Sequence, residues 1–296
     1  MSSFSSLLVP LDGSRRAARS LGCATWLAAE LDARLHILSA ATQPLPAQEE
    51  LTRLRVPEAD WPRITLHHAM SLPEEAILGA AQEYDARLII MSAHGEAQER
   101  TASAALTPDR SIGHVTRAVI EHGNRPVLLL PDAYRERLPW KRILVPISAE
   151  VEASPAAGIA IALANALALR IRIAHVLDGP DGKSGLEATA RYADATHHEY
   201  PEQLAELVRR AVSTATPEEC RRIEEVALLR GEIAAQLLQQ IEHGDVSLIA
   251  IGWHGSLVSG RAKVIKRLLP AITCPMLLAK AAPPSPSTLK VGVRMA

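Results

Sequence analysis

The chain repeats itself, and that repeat limits what it can fold into. LLVPLDGS (7–14) returns as ILVPISAE (143–150), with Val9 opposite Val145, an offset of 145 − 9 = 136. RLHILSA (34–40) returns as RIRIAHV (170–176) at the same offset. ARLIIMSAHG (86–95) matches VSLIAIGWHG (246–255) at 254 − 94 = 160, and RPVLLLP (125–131) matches CPMLLAK (274–280) at 275 − 126 = 149. The matching segments keep one order and only the connections change length. The second copy is longer around 178–215, by 160 − 136 = 24, and the first is longer in the last connection, by 160 − 149 = 11. This is the pattern of a duplicated domain, and 296 residues suit about two domains. The reading is a first domain over 1–132, a polar, proline-containing linker over 133–141, a second domain over 142–280 and a mobile tail over 281–296.

Within the first copy, short apolar runs alternate with helical patterns. Strands are expected at 7–11, 35–40, 64–70, 87–92 and 126–131, and helices at 15–31, 72–84 and 114–122. The helix at 15–31 carries Ala18, Leu21, Ala24, Leu27, Ala28 and Leu31 on one face, and Pro73 stands in the first turn of the next. Buried strands with intervening helices predict an α/β fold, a doubly wound parallel sheet covered on both faces. In such sheets ligands sit beyond the carboxyl ends of the strands, where the strand order reverses. In the second copy, EYPEQLAELVRRAVSTA (199–215) reads as part of an extra or longer helix.

Composition narrows the function. Aromatic residues make up only 3%, so the core is aliphatic, and a net charge of −1 removes the electrostatic case for nucleic-acid binding. Cys23, Cys220 and Cys274 are few, odd in number and widely spaced, which fits reduced thiols and a cytoplasmic location. The N-terminus lacks the basic and apolar regions of a signal peptide, and no apolar run is long enough to span a bilayer.

Three clusters fall at expected strand ends: PLDG with Asp12, MSAHG with Gly95, and SIGHVT (111–116) opening the last helix. A glycine-bearing turn before a helix presents backbone N–H groups and the positive end of the helix dipole, the usual equipment for holding phosphate. Asp12 is placed for a ribose hydroxyl or a magnesium ion, and Arg110, His114 and Arg117 offer positive charge. The bland alternative is that Asp12 shapes a turn and Gly95 and Gly113 only relax the backbone. His94 and His254 recur at matching positions, which suggests a shared role. The pairs His67–His68 and His197–His198 invite a metal reading, but adjacent strand residues point to opposite faces, so no metal is assigned. Ser14 and the cysteines have no recognisable base partner, and no catalytic residue is assigned.

The order VPLDGS, a strand ending in HG, then G-x-V-T before a helix and a proline-led last strand resembles the universal stress protein family in its tandem form, over nearly the whole chain. The resemblance implies two five-stranded sheets of order 3-2-1-4-5 related by a pseudo-two-fold axis, with the last strands of the halves pairing across it. It implies ATP or another adenine nucleotide, with Mg2+ accompanying ATP, in the first half. The residues carried over are Pro10, Leu11, Asp12, Ala40, Met91, Ser92, His94, Gly95, Gly113, His114, Val115 and Thr116. The sequence departs from the family's G-x2-G-x9-G-[ST] pattern. Ser92 replaces the first glycine, the segment 96–112 makes the spacing between Gly95 and Gly113 longer than the pattern, and His114 replaces the hydroxyl residue. The polar insert is read as a flap over the site. In the second copy Ser148 stands in the aspartate's place, and Ala262 and Lys263 stand where Gly and Ser/Thr belong. Three functions follow: a non-enzymatic stress-linked regulator binding nucleotide in its first half; an interaction module with both sites degenerate, its sheet edges and tail recruiting a protein partner; and, ranked last, a slow ATPase or nucleotidyl transferase. A pseudo-dimer within one chain, able to dimerise again, fits the first two.

Overall fold

A computed structural model describes residues 4–40, 45–69, 71–95, 112–148, 154–177, 199–257 and 262–280. The insert 96–111, the tail 281–296, Arg110 and the pair His197–His198 lie outside the described residues.

The first half builds β1 (Ser6–Leu11), α1 (Arg15–Glu30), β2 (Arg34–Ser39), α2 (Ala47–Arg53), β3 (Ile64–His68), α3 (Pro73–Glu83), β4 (Leu88–Ser92), α4 (His114–His122) and β5 (Val127–Leu130). The second builds β6 (Arg142–Ile147), α5 (Pro155–Ala166), β7 (Arg170–Leu177), α6 (Glu199–Ala211), β8 (Ile223–Arg230), α7 (Ile233–His243), β9 (Val246–Trp253), α8 (Lys263–Leu268) and β10 (Met276–Lys280). The expected elements are present, with ends shifted by a residue or two, except that the helix expected within 199–215 ends at Ala211. Apolar periodicity does not announce α2 or the 3-10 turn Glu58–Arg63 that leads into β3.

Each half has the order 3-2-1-4-5, and antiparallel pairing of β5 with β10 joins them into one ten-stranded sheet, β3-β2-β1-β4-β5-β10-β9-β6-β7-β8. The seam pairs Leu129 with Met276, Leu128 with Leu277 and Val127 with Leu278. The duplication is visible in the backbone itself. β1 pairs Ser6 with Arg34, and β6 pairs Arg142 with Arg170, each partner displaced by 136. Helices that run into the next strand end on left-handed residues at matching places: Asp32 and Ala168 (168 − 32 = 136), Asp85 and Asp245 (245 − 85 = 160). A left-handed residue closes the helix and turns the chain toward the sheet.

Strand side chains alternate between two apolar layers. Leu7, Val9 and Leu11 enter one with α1 and α5, while Leu8 enters the other with α3, α4 and α7. Both faces of the central strands are therefore dry, as a parallel sheet requires, while the edge strands β3 and β8 are partly exposed. The linker is not a free joint. Tyr134 and Trp140 are buried in the first layer, Trp140 packs 5.0 Å from Trp26, and Arg19 donates to the carbonyls of Asp132 and Tyr134. Among the described residues no helix is long and apolar enough to cross a membrane.

Candidate functional site

A cavity of about 240 Å3 opens at the carboxyl ends of β1, β2 and β4, between α1, α3 and α4. Of the expected residues, Pro10, Leu11, Asp12, Ala40, Met91, Ser92, Gly95, Gly113, His114, Val115 and Thr116 line it. Ala17, Leu38, Ala69, Pro73 and Ile77 also line it and were not expected. In the sequence these five look like ordinary core and helix-start residues. The signal available was topological, since the ends of β2 and β3 and the start of α3 must border a crevice beside β1.

Local chemistry explains how the polar groups arrive. Gly13 takes φ +83°, turning the chain out of β1. Asp12 Oδ1 then accepts the Ser14 N–H at 3.0 Å, and Ser14 Oγ caps α1 by accepting the Ala17 N–H at 3.0 Å. Asp12 thus shapes the turn with one oxygen and directs the other toward Gly95, where an added Cβ would lie 2.2 Å from Oδ2. Glycine at 95 is what lets the carboxylate and the opposing loop approach. The Gly113 N–H donates to the Ala93 carbonyl at 2.8 Å, closing the loop ends on each other. α4 begins at Gly113 with no side-chain cap, so its first-turn N–H groups, those of His114, Val115 and Thr116, carry the positive end of the helix at the cavity rim.

Two hydroxyls are spent locally. Ser92 Oγ donates to the His94 carbonyl at 2.7 Å, and Thr116 Oγ1 donates to the Ser92 carbonyl at 3.1 Å. Serine therefore stands in the family's glycine position by folding its side chain onto its own loop.

Three expectations are corrected. His94 does not line the cavity. It is 2% exposed, and its Nδ1 lies 2.9 Å from Asp132 Oδ2. Burial pushes the Asp132 carboxyl up, but the His94 hydrogen bond and charge together with Arg16 and Arg19 outweigh it and hold the group below the usual carboxylate value. His254, at the matching position, is exposed, so the two histidines have different surroundings. Arg117 turns away from the cavity: its guanidinium donates to the Leu257 carbonyl of the second half at 2.7 Å and lies 3.5 Å from Glu121. His67 faces His36 across the β2–β3 pair, and among the described residues no group of three or more His, Cys, Asp or Glu could hold a metal ion.

The corresponding rim of the second half is put to another use. Gly255 takes φ +81°, and an added Cβ there would lie 2.1 Å from Lys280 Cε. Lys280 Nζ donates to the Glu121 carbonyl at 2.6 Å, and the Leu257 N–H donates to Glu121 Oε1 at 2.6 Å. The loop after β9, the counterpart of the loop ending in Gly95, thus clasps α4 of the first half. Ser148 is exposed after β6, and Lys263 opens a helix of less than two turns.

A sequence model described as the universal stress protein family matches residues 40–131 and again 139–280. The chain belongs to the universal stress protein family. Among solved structures it is similar to a functionally unknown protein from Pseudomonas aeruginosa, at 14% identity over 94% of this chain and 92% of that one, with a TM-score of 0.58. A universal stress protein from Archaeoglobus fulgidus matches at 14% identity over 94% and 97%, TM-score 0.55. The cytoplasmic domain of a prokaryotic cation chloride cotransporter matches at 12% identity over 93% and 94%, TM-score 0.50. At these identities the likeness is one of fold. No curated protein matches the chain. Two universal stress protein segments in one polypeptide fit the pseudo-dimer that the β5–β10 seam builds.

Proposed function

We propose that this tandem universal stress protein is a regulatory binding protein that takes an adenine nucleotide in its first half and none in its second. The observation that carries the reading is convergence. Asp12, Gly95 and the start of α4 border one cavity whose wall among the described residues is otherwise largely apolar, from Leu38, Ala69, Pro73, Ile77 and Met91 beside Ser92. Such a wall suits a planar base, a carboxylate accepts hydrogen bonds from ribose hydroxyls, and uncapped helix N–H groups favour a phosphate. The close approach of Gly95 to Asp12 fits a backbone cradle in which a side chain would intrude. Mg2+ would arrive on the phosphates of ATP, since it is commonly held by few carboxylates together with phosphates and water.

The reading is of binding rather than turnover. Among the described residues, the titratable side chains bordering the cavity are Asp12 and His114, and Asp12 already serves its own turn. The buried His94 is directed to Asp132 instead.

Calorimetric titration of the full chain with ATP, ADP and AMP tests this. Binding by wild type and a loss of about tenfold or more in Asp12→Ala are expected, the scale of one hydrogen bond to a charged group. Absence of binding to all three by wild type overturns the nucleotide reading, and phosphate release at a sustained rate overturns the non-catalytic one.

A further inference from the structure

We propose that the stack of His36, His67 and Tyr84 is an acid-sensitive latch that holds α3 on the sheet and, through α3, the wall of the cavity. The three rings come from three elements. His36 on β2 and His67 on β3 approach to 3.0 Å between Nδ1 and Nε2, their rings 5.3 Å apart and inclined by 20°. Tyr84, the residue that ends α3, lies flat on both, 4.7 Å from His36 at 6° and 4.1 Å from His67 at 15°. The Tyr84 carbonyl also accepts the Ser6 hydroxyl at 2.9 Å.

This stack is the C-terminal fixing point of α3. Its other fixing point is the cavity, where Pro73 and Ile77 form part of the wall. Ile77 and Tyr84 are separated by about two turns of helix, and so share one face. That face also buries Ala80 and Ala81, and release of Tyr84 removes the ring contacts at its C-terminal end.

The latch needs one of the two facing nitrogens to be bare. A hydrogen bond between imidazole nitrogens uses a proton on one and a lone pair on the other. With both rings charged, two cations would face each other at the 3.0 Å separation. The surroundings oppose the extra charge. Burial lowers the His36 value first, then His67 and Arg34 lower it further. Burial likewise lowers His67 first, against the raising effect of Glu83 and with that of His68. Leu8 of β1, in register with His36, adds no charge. Because both folded values lie below the ordinary one, the released state binds more protons. The latch is therefore intact above about pH 6.5 and is lost as pH falls through the folded values.

The effect on ligand rests on the nucleotide reading above; the latch does not. The test is hydrogen exchange of the full chain at about pH 7.5 and about pH 5.5, corrected for intrinsic rates, for wild type and His67→Gln. Glutamine keeps a hydrogen-bonding amide and cannot be charged. The expected result is that α3 amides of wild type lose protection by about tenfold on acidification while those of α7, the counterpart in the second half, do not, and that His67→Gln shows no such loss. Equal loss in α3 and α7, or an undiminished loss in the variant, overturns the latch. If the variant does not fold, imidazole NMR of wild type decides: titration of both rings at or above the ordinary value overturns it, and titration below supports it. AMP affinity at the two pH values then reads the link to the cavity. A fall in wild type alone supports it, and unchanged affinity beside an opening α3 overturns it. Absence of AMP binding at both values counts against nucleotide in the cavity and leaves the exchange result to judge the latch.

Discussion

The two halves share strand order, register and the left-handed residues that end their helices, yet their carboxyl rims have become different objects. In the first, Asp12 leans on Gly95 and a cavity remains beneath α4. In the second, Lys280 lies over Gly255 and the following loop grips Glu121 of the first half. Strands answer to the core: every position of β5 is buried, so their sequence is held by packing. A rim loop answers only to what it touches. In the second half the loop after β9 touches α4 of the first, and Ser148, after β6, stands in the place of Asp12 with the strand order unchanged.

The largest expected effect tests whether the halves are separable at all. Leu128 and Leu277 face each other in the seam and are fully buried. Alanine at either should cost about 2–5 kcal/mol, and the double substitution less than the sum because both empty one space. If the seam makes one cooperative unit, denaturation followed at Trp26 and Trp61 in the first half and at Trp253 in the second gives coincident transitions for wild type and variants. Two separated transitions would show that each half stands alone.

The next effect contrasts the matching glycines. Gly95→Ala displaces the Asp12 carboxylate, whose other oxygen is already tied to the Ser14 N–H, so adenine-nucleotide affinity should fall by about a hundredfold with little change in melting. Gly255→Ala meets only the flexible end of Lys280 but forces alanine to φ +81°, so it should cost about 1 kcal/mol of stability and leave nucleotide affinity alone. Calorimetry and melting of both variants check this, and equal losses of affinity would erase the distinction between the rims.

What could be read from the sequence follows the same division. The recurring offsets between the two copies and the alternating apolar runs are repeated or local signals, and they led directly to the duplicated domain and its strands and helices, whereas the strand order came from the resemblance to the universal stress protein family. The polar residues of the cavity were legible because glycine and aspartate at strand ends are uncommon without a turn or ligand to serve. Leu38, Ala69 and Ile77 were not, because an apolar residue lining a cavity and one filling a core look the same in a sequence. The orientations of His94 and Arg117 depend on Asp132 and on the Leu257 carbonyl, partners far along the chain that only tertiary structure brings near.

The smallest expected effect separates the matched histidines. His94 is buried against Asp132, which also receives Arg16 at 3.6 Å, whereas His254 is exposed. His254→Asn should change stability by less than about 0.5 kcal/mol, as surface substitutions do. Asp132→Asn should cost about 1 kcal/mol near neutral pH, and the cost has a pH signature. Because the folded carboxyl lies below its ordinary value, folding is favoured by its ionisation, and the contribution is full above that value and lost as pH falls through the folded one. Wild type and Asp132→Asn should therefore differ most near neutrality and converge as the pH is taken below about 4, which denaturant melts across that range would measure. A gap that stays constant down the acid limb would mean that the pair between the rim loop and the end of the first domain is a matter of shape alone, and that the charge on Asp132 does not hold the rim loop in place.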